Sequence, residues 1–311
     1  MTVYNHANRT AWQRFARNIR KHYIVYLMFV PVAVYYILFH YAPMYGATIA
    51  FKNYIPSRGF WDSNWVGLKH FHTFFNSYYC ARLIRNTLLI SVYSIIFGFP
   101  APILLALLLN ELKSQKYKRV VQTVTYLPHF LSIMVVCGMI LNFFSSSGPI
   151  NSVIVSLGGK KVDFLMDPVN FRPLYVGSDI WQSIGWGSIV YLAALSGIDP
   201  SLYEAARIDG ANRFRQAFHI TLPGLVPTIT VLFILKIGSL MNVGYEKIIL
   251  LYNELTYETA DVISSFVYRK GLLDANYSYS AAIGLFNSVI NFGLVILANT
   301  VSRHVQQTSL W

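Results

Sequence analysis

The chain has 311 residues, of which 55% are hydrophobic, 16% aromatic and 12% charged, with a formal net charge of +12. Soluble domains carry about twice that fraction of charge, so a water-soluble core of ordinary size is excluded. The basic excess does not indicate nucleic acid either, because it lies in short patches that flank apolar runs.

A membrane-crossing helix needs roughly 20 mostly apolar residues. Six runs qualify, at about 23–42, 87–110, 121–145, 175–196, 224–245 and 279–302. They predict an all-α polytopic membrane protein with six transmembrane helices; a β-barrel would show short alternating strands instead. The chain divides into a basic segment 1–22, a membrane domain 23–302 and a short tail 303–311.

The first segment carries Arg9, Arg14, Arg17, Arg20 and Lys21 and no acid. Trp12, Phe15 and Ile19 share one helical face there, which suits a helix on an anionic leaflet or a solvated basic tail. The first apolar run spans about 19 residues, longer than a signal-peptide core, and reads as an uncleaved anchor although "YAPMYGA" follows it. The aromatic loop 57–80, with Phe60, Trp61, Trp65, Phe71 and Phe74, reads as a packed cap, with a ligand site as the alternative. In the second run, Gly98, Pro100 and Pro102 predict a kink, either a packing-adapted bend or a moving hinge. Loop 111–120 then sets Lys113, Lys116, Lys118 and Arg119 against Glu111. Basic flanks belong on the cytoplasmic side, which puts both termini, and the loop after the fourth run, in the cytoplasm. Cys80 in an outer loop and Cys137 in the third run give no disulfide framework. No His, Cys and carboxylate cluster has metal-ligand spacing.

Polar residues at membrane depth are costly and tend to face a cavity. The fourth run, "SDIWQSIGWGSIVY", carries Asp179, Trp181, Gln182, Trp186 and Tyr191. Asp179, Gln182 and Trp186 fall on one helical face, while Asp179 and Trp181 also suit the interfacial belt. The fifth run has Lys236 about halfway across and Asn242, Tyr245 and Glu246 near its outer end. Lys236 can contact an anionic ligand, pair with a carboxylate or snorkel along its helix. In the sixth run Asn287 and Asn291 share a face. The outer segment 250–272 mixes apolar residues with Tyr252, Asn253, Thr256, Tyr257, Glu258 and Tyr268, and reads as an interfacial helix or re-entrant loop.

The loop 199–223, "DPSLYEAARIDGANRFRQAFHITLP", breaks the apolar pattern. Asp199 or Ser201 can cap a helix over about 200–209, with Pro200 in its first turn, and Ser201 with Glu204 matches a capping box. Gly210 supplies the left-handed residue that ends it, and a second helix, about 212–221, leads to Leu222-Pro223. Ala205, Ala206 and Ala211 form a flat patch ringed by Glu204, Arg207, Asp209, Arg213 and Arg215. Such a patch suits docking into a cleft on a soluble partner; a plain connector is the alternative.

Glu204-Ala205-Ala206, Asp209-Gly210-Ala211, Phe218 and Ile220-Thr221-Leu222-Pro223 closely resemble the EAA signature of ABC importer permeases with the MetI-like fold. "VGLKHF" (66–71, with His70 where that branch has Asn), "NVGYEKIILLYNELTYETADVISSFVYRKGL" (242–272), "RNTLLISVYSIIFGFPAPILLALLLNE", "QTVTYLPHF" and the closing "TSLW" look like the sugar-permease branch, LplB-type permeases for complex saccharides included. The resemblance covers about residues 20–311. It implies that 199–223 is a coupling helix seated on an ATPase. It also implies a second permease subunit, two ATPase subunits that hold ATP and Mg, an extracellular solute-binding protein and a saccharide cargo. No phosphate loop occurs, since "LGGKKVD" lacks the spacing, so the chain is expected to be non-catalytic and to bind no cofactor. Under this reading the aromatic and polar groups of the fourth and fifth runs line the sugar path, Asn287 and Asn291 meet ligand or the second permease, and the tyrosines of 250–272 meet the binding protein. An ion-driven secondary carrier and a membrane scaffold are the alternatives; no inverted repeat supports the carrier.

Overall fold

The computed structural model describes residues 18–306, with side chains as far as Arg303. The readings for Arg9, Arg14, Arg17, Trp12, Phe15 and the closing "TSLW" lie outside the described residues. Helices dominate; among the described residues the one β-bridge links Lys52 to Trp65.

The first helix, α1 (Tyr23–Phe51), buries no residue of its apolar stretch in the rest of the chain. Its last turns, Tyr45–Phe51, pack on the final helix. After α2 (Lys69–Phe75), whose Phe74 is fully buried, comes α3 (Tyr78–Glu111), 34 residues long. The loop 57–80 is a packed cap only in part: Phe51 stacks on Trp65 and touches Phe71, but Trp61 and Trp65 remain exposed. Cys80 lies in the first turn of α3 rather than in a loop, and Cys80 and Cys137 are both free. Where Gly98, Pro100 and Pro102 predicted a bend, the helix makes a π turn, Ser94–Gly98, with the Phe99 N–H reaching the Ser94 carbonyl at 3.0 Å. The two prolines cannot give an N–H to the preceding turn, and the wider turn accommodates them.

The expected third span is two helices, α4 (Gln115–Phe130) and α5 (Ile133–Phe143), inclined at 101°. Pro128 tightens the end of α4 into a 3₁₀ turn, Leu131 is extended, and the Ser132 hydroxyl caps α5. After the short α6 (Pro149–Ser156) comes α7 (Pro168–Leu195). Asp167 caps it, so it begins earlier than the expected 175 and runs for 28 residues, about 42 Å at 1.5 Å per residue. Its polar side chains keep it out of the group whose apolarity alone identifies a crossing. That group comprises α1, α3, α9 (Arg213–Gly238) and α12 (Tyr277–Gln306), with the α4–α5 pair as a fifth if it is one bent span.

Between α7 and α9 lies α8 (Pro200–Ile208), close to its expected bounds. The second loop helix and the fifth span, expected as separate elements, are one helix. A π turn over Ala217–Thr221 carries the chain through Leu222 and Pro223 without a break. That helix also ends earlier than expected, at Gly238. Asn291 Oδ1 accepts the Met241 N–H at 2.9 Å and draws the chain off the helical path. Asn242 therefore lies in a connection, and Tyr245 and Glu246 open a new helix, α10 (Tyr245–Leu251). Helical turns at Glu254–Thr256 and Tyr257–Ala260 lead to α11 (Ile263–Tyr268), which a π turn extends before α12 begins.

Three apolar clusters hold these helices. Ile90, Val136, Ile140, Phe171, Tyr175 and Ile248 join α3, α5, α7 and α10. Phe74, Leu83, Met241, Phe266 and Ile283 join α2, α3, α11 and α12. Ile103, Ala106, Leu195 and Leu225 join α3, α7 and α9. Gly185 of α7 lies so close to α4 that a Cβ there would stand 2.1 Å from the Thr125 carbonyl oxygen.

Candidate functional site

Two cavities adjoin between α3, α7, α9 and α10. One, of about 410 Å³, is lined by Ser94, Asp179, Lys236, Asn242, Tyr245 and Glu246 among others. The second, of about 420 Å³, is lined by Ser94, Gly98, Asp179, Trp186, Tyr191 and Lys236 among others. Ser94, Asp179, Lys236 and Ser239 border both. The widened turn of α3 thus opens onto the place where the fourth and fifth runs carry their polar groups. Lys236 sits in the last turn of α9.

Seven predicted residues meet here: Asp179, Trp186, Tyr191, Lys236, Asn242, Tyr245 and Glu246. Trp186 is 47% exposed. One ring face is covered by His129, stacked at 4.6 Å and 4°, and Phe130 meets it edge-on. Tyr191 is only 3% exposed and serves as wall behind the cavity surface. Tyr245 stacks on Tyr268 at 5.2 Å.

Four predictions fall elsewhere. Gln182 borders neither cavity; its Nε2 donates to the Leu131 carbonyl at 3.2 Å and ties α7 to the α4–α5 break. Trp181 lines a separate apolar recess of about 350 Å³ with Met139, Phe143 and Pro173. Asn287 and Asn291 each donate to Asn242 Oδ1, at 2.9 and 3.0 Å. That asparagine face is engaged inside the chain, where it answers the Met241 N–H and the Asn242 amide oxygen in the connection after α9.

Lys247 was not anticipated. It is 3% exposed, its Nζ donates to the Tyr175 carbonyl at 3.0 Å and lies 4.7 Å from the Tyr175 ring centre, and Asp179 Oδ1 is 3.6 Å away. In sequence it follows Glu246 and resembles an ordinary surface charge; nothing local announces its burial.

On the segment between α10 and α12, Asp261 is fully buried and receives Arg269 at 2.7 Å, Arg82 at 3.7 Å and the Ser265 hydroxyl at 2.8 Å. Asn86 donates to the carbonyls of Glu258 and Asp261 and accepts from Arg172. Arg85 pairs with Glu258 at 2.8 Å. Tyr252 stacks on Tyr257 at 4.7 Å, with the Arg269 guanidinium 5.1 Å from the Tyr257 ring centre. These two tyrosines pack within the segment.

In the loop 199–223, Asp199 is the helix cap: its carboxylate accepts the Ser201 N–H at 2.9 Å, and that bond holds its pKa below the ordinary value. The Ser201–Glu204 capping box does not form, and Glu204 faces solvent. With Arg207, Ala211, Arg213 and Gln216 it borders a polar cleft of about 780 Å³ reaching Glu111 and Lys113. Arg213 pairs with Glu111 at 3.4 Å. Gly210 takes φ of 75°, and the Ala211 N–H closes on the Ala206 carbonyl at 2.8 Å. Ala205 and Asp209 are exposed, Ala206 is half-buried, and Phe218 is exposed on the π turn that leads to Leu222 and Pro223. Ile208, 87% exposed, and Phe214, 77% exposed, add an apolar tip. The signal for them was two large apolar side chains inside a charged loop.

Residues 98–307 match the family described as "Binding-protein-dependent transport system inner membrane component". The chain is 46% identical to Protein LplB of Bacillus subtilis (strain 168), covering 92% of this chain and 91% of that protein. It is 43% identical to the polygalacturonan/rhamnogalacturonan transport system permease protein YteP of the same organism, covering 92% and 90%. A crystal structure of a bacterial ABC transporter involved in the import of the acidic polysaccharide alginate contains a chain that superposes with a TM-score of 0.89. That chain is 45% identical, over 94% of this chain and 99% of its own length.

Proposed function

The chain belongs to the family of binding-protein-dependent transport inner-membrane components, as a permease of ABC import and not an ion-driven carrier, and we propose that it carries a saccharide through the adjoining cavities. The observation that carries this reading is the convergence of Trp186, Tyr245, Asp179 and Lys236 on that space. Sugars present apolar ring faces and hydroxyl edges, and half-open aromatic faces beside charged groups match both. The cavities lie on one chain's surface, so a second permease subunit closes the path from the other side. An extracellular binding protein delivers the cargo, and both termini lie in the cytoplasm.

The α8 hook, with Glu204, Ala205, Ala206, Arg207, Asp209, Gly210 and Ala211, docks on one of two ATPase subunits, which hold ATP and Mg. Its flat alanine face, charged rim and exposed Ile208 support this. Because α8 follows α7 within a few residues and leads directly into α9, a push on the hook tilts the two helices that line the path. That is alternating access by rigid-body movement. In proteoliposomes, saccharide uptake is expected to require the binding protein and ATP. Uptake that follows a proton or sodium gradient and ignores ATP would refute the proposal.

A further inference from the structure

Building on the import reading above, we infer that Lys236 is a specificity-determining residue that recognises carboxylates on the cargo, with Lys247 cancelling the Asp179 charge beside it. The cavity that contains Trp186 has two charged side chains in its lining, Asp179 and Lys236. Asp179 is answered by Lys247 at 3.6 Å. Lys247 cannot turn to a passing ligand, because it is buried and its ammonium is bonded to the Tyr175 carbonyl. Lys236 is exposed, and among the described residues it forms no ion pair. The fixed charge left facing that cavity is therefore one ammonium.

Burying a lysine to neutralise an aspartate is costly. For a neutral sugar the neutralisation of Asp179 gains nothing at the cavity wall, since an ionised carboxylate is a good acceptor for hydroxyl groups. For a polyanionic sugar an unanswered aspartate on the wall repels, and an unanswered lysine attracts. Glu246 borders only the neighbouring cavity, the one without Trp186. A lysine in the last turn of a helix also suits the helix dipole. That role needs a cation but is indifferent to the charge of the cargo, so the test must compare cargoes.

The assembled importer, with full-length subunits and its binding protein, is placed in liposomes. It is offered oligogalacturonates, alginate oligosaccharides and neutral galactan oligosaccharides of matched length. Wild type is expected to import uronate probes. Lys236→Gln should lower their uptake roughly tenfold, as for loss of one charge-assisted contact, mainly through KM, and Lys236→Arg should restore most of it. Lys247→Met should also lower uronate uptake, and adding Asp179→Asn should recover it. If Lys247→Met does not assemble, the Lys236 pair still decides. Unchanged uronate uptake in Lys236→Gln overturns the inference. Import of neutral probes alone overturns it while leaving the permease reading standing. No import of any of these probes defeats the saccharide reading, and the inference with it.

Discussion

Two polar regions of this molecule use similar residues to opposite ends. Around Asp261, the charges are answered within the chain, with Arg269, Arg82 and Ser265 on the carboxylate and Asn86 bridging to Arg172, although the Nε atoms of Arg82 and Arg172 are left without a partner. Around Asp179, the groups are left turned toward open space, with one face of Trp186, the Lys236 ammonium and the Glu246 carboxylate all at the cavity wall. The first region closes on itself and fastens the segment before α12 to α3 and α7. The second is braced by Lys247, His129 and the Asn242 cluster, and Trp186, Lys236 and Glu246 remain open to the cavities. Polar groups at depth thus divide by whether their partners lie in the chain or have yet to arrive.

Substitutions can break this contrast in order of expected effect. Asp261→Ala leaves two guanidinium groups without their buried counter-ion, a loss of about 3–5 kcal/mol. The expected outcome is failure to accumulate in the membrane, read by immunoblot and by thermal unfolding of the purified complex; normal yield and stability would show that the outer network is not structural. Gly185→Val puts a side chain against the Thr125 carbonyl backbone and is expected to cost about 1–3 kcal/mol as overpacking. Intact assembly after that change would mean that α7 and α4 are not clamped there. Trp186→Ala removes one stacking face and should reduce saccharide uptake about tenfold, equivalent to ~1.4 kcal/mol, at unchanged stability of the complex. Uptake at the wild-type level would remove Trp186 from the path. The smallest effect is expected from Trp181→Ala, whose side chain lines the separate apolar recess: uptake should stay within about twofold, as for a change outside the contacts that matter.

The boundary between these regions was only partly legible in the sequence. Asp179, Trp186, Lys236, Tyr245 and Glu246 could be found because a polar or aromatic group in an apolar run is conspicuous. The hook could be found because the EAA signature is local, with its turn residue Gly210 and its alanines at fixed spacing. What the sequence hid is long-range. Lys247 reads as surface charge until Tyr175, 72 positions away, is seen to hold it. Asn287 and Asn291 look like ligands or interface residues because their acceptor, Asn242, was expected inside a helix that in fact stops at Gly238. Helix ends went astray for the same reason: proline positions were visible, but π turns carry the chain through some of them and the α4–α5 break does not.

In the proposed cycle the hook transmits force from an ATPase to α7 and α9. A photo-crosslinker on cysteine at Ile208→Cys, at the exposed tip of α8, tests this directly in membranes that contain the whole importer. A covalent adduct between this chain and the ATPase subunit is expected, with a yield that changes when ATP is added. An adduct with no ATPase, or labelling of that cysteine by an impermeant reagent from the extracellular side, would contradict it.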